Sequence, residues 1–125
     1  MNVVGLFSGI GGIELGLSRS GHACSLLVEN NPAASAVLAA RFPDIPRHLD
    51  IKTLKSLPCG TELVAAGFPC QDLSQAGNLQ GIDGSQSGLI GEVFRLIKKS
   101  KVPNILLENV PFMLHLARGR AMDVI

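Results

Sequence analysis

The chain reads as an α/β protein: a parallel sheet with right-handed crossovers and helices on both faces. Three observations point there. Short apolar runs alternate with helix-patterned stretches along the chain, an alternation that builds parallel sheets. Hydrophobic residues fill 46% of the 125 positions, as expected of strands buried on both faces or of a chain lacking part of the surface that should cover it. Finally, Ser8, Glu29, Asp50, Cys70 and Glu108 each stand where an apolar run stops. Those are the carboxyl ends of strands, where such sheets collect ligands.

The first strand is Asn2–Phe7, stopped by Ser8-Gly9. Gly11-Gly12 leads into a short helix over Ile13–Ser20, with Gly21 as its C-terminal glycine. A second strand, Ala23–Val28, ends at Glu29. Asn31 then caps a helix with Pro32 at its first position, running to about Arg41. Pro43 and Pro46 force an irregular passage to a short strand near Arg47–Leu49, ending at Asp50. Thr61–Ala66 is the next strand, ending at Gly67-Phe68-Pro69-Cys70. Gln71–Gly88 is rich in Gly, Ser, Gln and Asn and reads as a long mobile loop, of the kind that is functional or disordered. Leu89, Val93, Leu96 and Ile97 mark an amphipathic helix over Leu89–Lys99 with a basic tail. Asn104–Leu107 is the last strand, ending at Glu108, and from Met113 to Ile125 the pattern is helical.

Composition excludes several classes. At 125 residues the chain is at most one small domain. No apolar run approaches the roughly 18 residues that span a bilayer, and the N-terminus has no basic segment or cleavage site. No membrane association is expected. The location expected is the bacterial cytoplasm, free or with the nucleoid. Cys24, Cys59 and Cys70 lack framework spacing, which fits a reducing compartment. No Cys/His cluster has zinc spacing, so no metal is expected. A formal charge of +1 argues neither for nor against nucleic acid.

Two constellations carry chemistry. The first is the turn Phe7-Ser8-Gly9-Ile10-Gly11-Gly12. Its glycines let backbone approach a ligand and present N–H groups at a helix start. Glu29 is placed to accept from two ribose hydroxyls, and Asp50 from an adenine amino group. The plain alternative is a Gly-rich turn with two solvated acids, because short glycine patterns match by chance. The dinucleotide spacing G-x-G-x-x-G is absent, so an adenosyl ligand fits better than NAD.

The second pairs Pro69-Cys70-Gln71 with Glu108-Asn109-Val110. A thiol is a nucleophile where its thiolate is favoured, and Cys70 follows a stiffening Pro at a strand end. A lone Cys is otherwise a small buried hydrophobe, the reading given to Cys24 and Cys59. Glu108 ends an apolar strand, where a carboxyl can act as an acid. Alternatively it caps a helix before Pro111. Asn109 is suited to clamp the Pro69-Cys70 turn. His22, His48 and His115 have no acidic partner in these motifs and read as surface residues.

Taken in order, these residues resemble the DNA (cytosine-5)-methyltransferase family. Phe7–Gly12 is similar to its first motif, Glu29 and Asp50 to its second and third. Gly67-Phe68-Pro69-Cys70-Gln71-Asp72-Leu73-Ser74 is similar to its catalytic motif, Gly88-Leu89 to the fifth, and Glu108-Asn109-Val110 to the sixth. The resemblance implies a Rossmann-like, S-adenosylmethionine-dependent methyltransferase fold. It implies Phe7 at the cofactor's adenine, Ser8, Gly9, Gly11 and Gly12 at its methionine part, and Glu29 at the ribose. Asp50 with Ile51 would meet the adenine edge, and Leu89 would line the pocket. The substrate implied is double-stranded DNA with the target cytosine flipped out of the stack. Cys70 would add to carbon 6 and Glu108 would engage ring N3, while carbon 5 takes the methyl group. Loss of the carbon 5 proton would then expel Cys70, and the Gln71–Gly88 loop would close over DNA.

The family's Q-x-R-x-R motif, target-recognition domain and closing helix are not in this sequence. The expectation is therefore the N-terminal portion of a longer catalytic domain over 1–125, as in restriction–modification, weak or inactive alone. Three other readings stand beside it: one half of a split enzyme needing a complementary C-terminal chain, a family member acting on transfer RNA, and an adenosyl binder without transfer chemistry. Retention of Cys70 with Glu108 argues against the last.

Overall fold

The computed structural model describes residues 1–68 and 88–109. Within them lies one five-stranded parallel sheet. Its strands are β1 (Asn2–Leu6), β2 (Ala23–Val28), β3 (Arg47–His48), β4 (Leu63–Gly67) and β5 (Asn104–Glu108), in the order β3-β2-β1-β4-β5. The helices are α1 (Gly12–Arg19), α2 (Pro32–Arg41) and α3 (Leu89–Ser100), with a 3₁₀ turn at Ile51–Thr53. From β1 the chain builds outward through β2 and β3, then crosses back to place β4 on the other side of β1. Strand order therefore reverses between β1 and β4, which opens a crevice beyond their carboxyl ends.

Alternation along β1 assigns the two faces. Val4 and Leu6 join Leu26, Val28, Val64 and Ala66 in a core closed by Val93 and Leu96 of α3. Val3 faces the opposite way with Leu63 and Ala65, covered by Ile13 and Leu17 of α1. Helices thus cover both faces. Apart from Asn2 and Gly67 at their ends, β1 and β4 lie in the interior, with Val4, Val64 and Ala66 fully buried, which is why Val3–Leu6 and Leu63–Ala66 are apolar throughout. β5 is one of the two edge strands among the described residues, opposite β3, and Ile105 and Leu106 on it are exposed.

The ends of the helices follow local chemistry. Asn31 Oδ1 accepts from the Ala33 and Ala34 N–H groups at 3.0 and 3.1 Å, and Pro32 opens α2. α1 closes with Gly21 left-handed at φ 83° and the His22 N–H returning to the Leu17 carbonyl. α3 is tied to the segment after the 3₁₀ turn by long side chains. Arg95 Nη2 donates to the Ile51 and Leu54 carbonyls at 3.2 and 2.9 Å, and Lys99 Nζ donates to the Lys55 carbonyl at 2.8 Å.

Differences from the sequence reading are local. The 3₁₀ turn was not expected; Asp50 caps it, its Oδ1 accepting from the Lys52 N–H at 2.9 Å. Cys59, expected to be buried, is exposed. It lies in the Pro58–Thr61 turn, where the Thr61 N–H and hydroxyl both bond the Pro58 carbonyl and Gly60 is left-handed, so its side chain points away from the core. Cys24 is half-buried, its thiol 3.6 Å from the Leu26 carbonyl. His22 and His48 are partnered, by the N-terminal amine and by Thr53. Of the expected loop Gln71–Gly88, residues 71–87 lie outside the described residues, as does the helix expected from Met113; Gly88 precedes α3 as its N-cap.

Candidate active site

The site is built from strand ends. β1 passes into the glycine turn with Phe7 at φ 55°, Gly9 at φ 55° and Gly11 at φ 82°. Phe7 is the position an L-residue holds at a cost, the kind of strain found at ligand sites. The turn is closed by the Gly11 N–H to the Ser8 carbonyl at 2.8 Å and tied to β2 by the Ser8 N–H to the Val28 carbonyl at 3.0 Å. Gly11 is required by space as well as conformation: a Cβ there would overlap Phe42 and come within 3.0 Å of Leu38 Cδ2. Sequence reasoning missed this buttress from the end of α2. Above Gly9 and Gly12 a Cβ would meet nothing within 4 Å, so one side of the turn is open.

Glu29, at the end of β2, joins the turn to α2. Its Oε2 accepts from the Gly9 N–H at 2.8 Å and its Oε1 from the Asn31 N–H at 2.7 Å. Each carboxylate oxygen keeps accepting capacity for a ligand hydroxyl. Asp50 follows β3, the next strand along. Ile51 is 3% exposed and its side chain belongs to the core, so only its backbone faces a ligand. Leu89 begins α3 and packs half-buried on the same core, as does Phe7.

On the other side of β1, Glu108 ends β5 beside β4. A Cβ on Gly67 would lie 3.2 Å from Glu108 Oε2 and 3.8 Å from the Phe7 carbonyl oxygen. The absent side chain at Gly67 therefore lets the carboxylate reach the β1–β4 crevice. Glu108 itself is exposed. Asn109 Nδ2 donates to the Phe68 carbonyl at 3.0 Å, the peptide oxygen immediately before Pro69. Phe68 is buried, with Phe7, Ile90 and Leu107 packed against it. Pro69 and Cys70 lie outside the described residues.

The family model for C-5 cytosine-specific DNA methylases matches residues 1–125. The chain belongs to this family. It is 56% identical over 127 residues to the Type II methyltransferase M2.BsuMI of Bacillus subtilis strain 168, covering 98% of this chain and 32% of that protein. It is 29% identical over 133 residues to the Type II methyltransferase M.AquIA of a Picosynechococcus species, covering 98% of this chain and 54% of that one. The chain thus spans about a third to a half of these relatives. Two solved structures share the fold, each with a TM-score of 0.69. A putative DNA modification methyltransferase from an Escherichia coli prophage is 24% identical, covering 100% of this chain and 37% of that one. A Spodoptera frugiperda DNMT2 mutant is 22% identical, covering 98% and 40%.

No helix among the described residues is long and apolar enough to cross a membrane. No described group of three or more His, Cys, Asp or Glu residues could hold a metal ion.

Proposed function

We propose that the chain is the N-terminal, cofactor-binding and nucleophile-bearing portion of a catalytic domain that methylates carbon 5 of cytosine in double-stranded DNA. The supporting observation is the meeting of Glu108, Gly67 and the Phe7 carbonyl at the β1–β4 switch point, with Asn109 holding the peptide that enters Pro69-Cys70.

The residues present fit an adenosyl cofactor. The open side of the turn at Gly9 and Gly12 admits a ligand backbone-close, and Glu29 is fixed by two amides with capacity left for ribose hydroxyls. Asp50 with the Ile51 backbone would meet the adenine edge, Phe7 and Leu89 would flank the ring, and Ser8 and Gly11 would shape the turn around the methionine part. When bound, S-adenosylmethionine supplies an electrophilic methyl group.

The flipped cytosine enters the crevice. The Cys70 thiolate forms a bond to carbon 6, and the ring's electron pair moves toward carbon 5. Glu108 holds a proton at N3 and so limits negative charge on the ring. Carbon 5 would take the methyl group as its bond to the cofactor's sulfonium sulfur breaks, with S-adenosylhomocysteine as the leaving group, and would then lose its proton to a base. The electrons left behind re-form the carbon 5–carbon 6 double bond and expel Cys70 as thiolate.

A complementary chain completing the domain is the second reading. The unequal spans, 32% of one relative and 54% of another, mean that family members differ widely in length. The test uses S-adenosylmethionine and duplex DNA carrying 5-fluorocytosine: once methylated, carbon 5 holds fluorine where it would otherwise hold the departing proton, so Cys70 cannot be expelled and the adduct persists. The chain is assayed alone and with the C-terminal remainder of the Bacillus relative. The expected result is an adduct with the remainder and little alone. Adduct formation by Cys70→Ser would remove the nucleophile from the account, and efficient methylation by the chain alone would remove the need for a partner.

A further inference from the structure

Glu14 is an acid in an unusual place. It stands in the first turn of α1 yet is 2% exposed. It presses on β1 where only a glycine leaves room: a Cβ on Gly5 would overlap Glu14 Oε1 and lie 2.6 Å from Ser8 Oγ. Two polar side chains therefore converge over Gly5. Neither Glu14 Oε2 nor Ser8 Oγ has a well-formed hydrogen bond among the described residues. Burying such groups costs folding free energy, and an apolar side chain would fill the space at less cost. A buried carboxyl kept there calls for a role.

Ser8 supplies the connection. It is the pivot of the glycine turn, its N–H bound to Val28 and its carbonyl to Gly11, between Phe7 and Gly9 in left-handed conformations. Such a backbone persists only where its surroundings hold it. We propose that Glu14 is a positioning residue whose buried carboxyl props Ser8 from beneath and so holds the Phe7–Gly12 turn in the shape that receives an adenosyl cofactor. The ligand named here rests on the proposed function; the propping of the turn does not.

The groups facing the carboxyl are few. They are Gly5 of β1, the Ser8 hydroxyl of the turn, and from β2 the Cys24 thiol, whose own proton is held more tightly mainly by burial and in part by Glu14. Neither described ion pair includes Glu14. Burial pushes the Glu14 carboxyl up from its ordinary range, with its own backbone amide and the Ser8 hydroxyl only partly opposing. A hydroxyl and a carboxyl so placed can each donate or accept as the other requires, which couples the Glu14 side chain to Ser8.

The test compares wild type, Glu14→Gln and Glu14→Leu in the 125-residue chain, with S-adenosylhomocysteine as the probe in calorimetry. Ligand-free amide exchange at Gly11, which reports the turn's own hydrogen bond, is measured on the same samples. Glu14→Gln should bind within about threefold of wild type. Glu14→Leu should bind about tenfold or more weakly, with faster Gly11 exchange and an undiminished Tm. Glu14→Leu with wild-type affinity and exchange overturns the proposal, as does Glu14→Gln behaving like Glu14→Leu. If wild type binds no S-adenosylhomocysteine, the cofactor reading fails and the exchange data alone decide the propping role. If Glu14→Leu does not fold, the pH profile decides. Gly11 protection in wild type should weaken with rising pH beyond the intrinsic exchange trend, whereas Glu14→Gln follows that trend; identical profiles refute it.

Discussion

Replacing Gly11 by alanine should cost far more than replacing Gly9, although both are left-handed and sit two residues apart in the same turn. At Gly9 the conformation is the whole penalty, because a Cβ there meets nothing within 4 Å. An alanine held left-handed costs about 1–2 kcal/mol. At Gly11 the same strain applies at φ 82°, and the methyl group must also displace the Phe42 ring and crowd Leu38, which is 1% exposed and has little freedom to yield. Forcing a methyl into such packing adds about 1–3 kcal/mol. The total at Gly11 is about 2–5 kcal/mol, a large share of the roughly 5–15 kcal/mol that holds a domain folded. By thermal unfolding followed by circular dichroism, the expected loss is on the order of 10 °C or more for Gly11→Ala and roughly 4 °C for Gly9→Ala. Phe42→Leu should relieve part of the Gly11→Ala defect, since it removes the ring edge the methyl strikes. Equal losses at the two glycines would refute the claim that α2 buttresses the turn.

Three further outcomes follow from particular contacts. Arg95→Ala removes the donor to the Ile51 and Leu54 carbonyls and should destabilise the fold by about 1–3 kcal/mol in urea titration, loosening the segment after Asp50; Arg95→Lys, lacking the planar fork, should restore only part. Asn109→Asp keeps the size but loses the donor to the Phe68 carbonyl; stability should fall by about 1–2 kcal/mol, with methyl transfer by the completed enzyme falling more steeply than stability. The buried Glu14 carboxyl, raised from its ordinary range, binds its proton more tightly folded than unfolded. As pH rises, the unfolded chain ionises first, so this group's contribution to stability declines from the ordinary carboxyl range up to the folded value and then levels. Glu14→Gln should remove that decline, as read by Tm against pH; an unchanged slope would contradict it.

The backbone plan was legible because its signals are local. Asn31-Pro32 marks a helix start, Gly21 a helix end, and the runs Asn2–Phe7 and Thr61–Ala66 mark buried strands, each within a residue or two of the structure. The strand-end positions of Ser8, Glu29, Asp50 and Glu108 followed from the same runs. What escaped depends on contacts distant in sequence. Glu14 reads as an ordinary first-turn acid, and nothing nearby says that it turns inward. The one signal was Gly5, a glycine inside an apolar strand, which marks close approach by something else. The clash that demands Gly11 comes from Phe42, thirty-one positions on, through α2. Asp50 carried the cap signal for the 3₁₀ turn, but three residues are too few to show a period. Cys59 is exposed because the Pro58–Thr61 turn directs it outward, and a lone cysteine carries no mark of turn geometry.

The most direct test of the proposed strand-end cofactor site is amide chemical-shift mapping of the isotope-labelled chain on addition of S-adenosylhomocysteine. The account expects the largest changes at Gly9, Gly11, Glu29, Ile51 and Leu89, with little change on the outer face of α3 around Lys98. Changes centred on α3, or none at millimolar ligand, would contradict it.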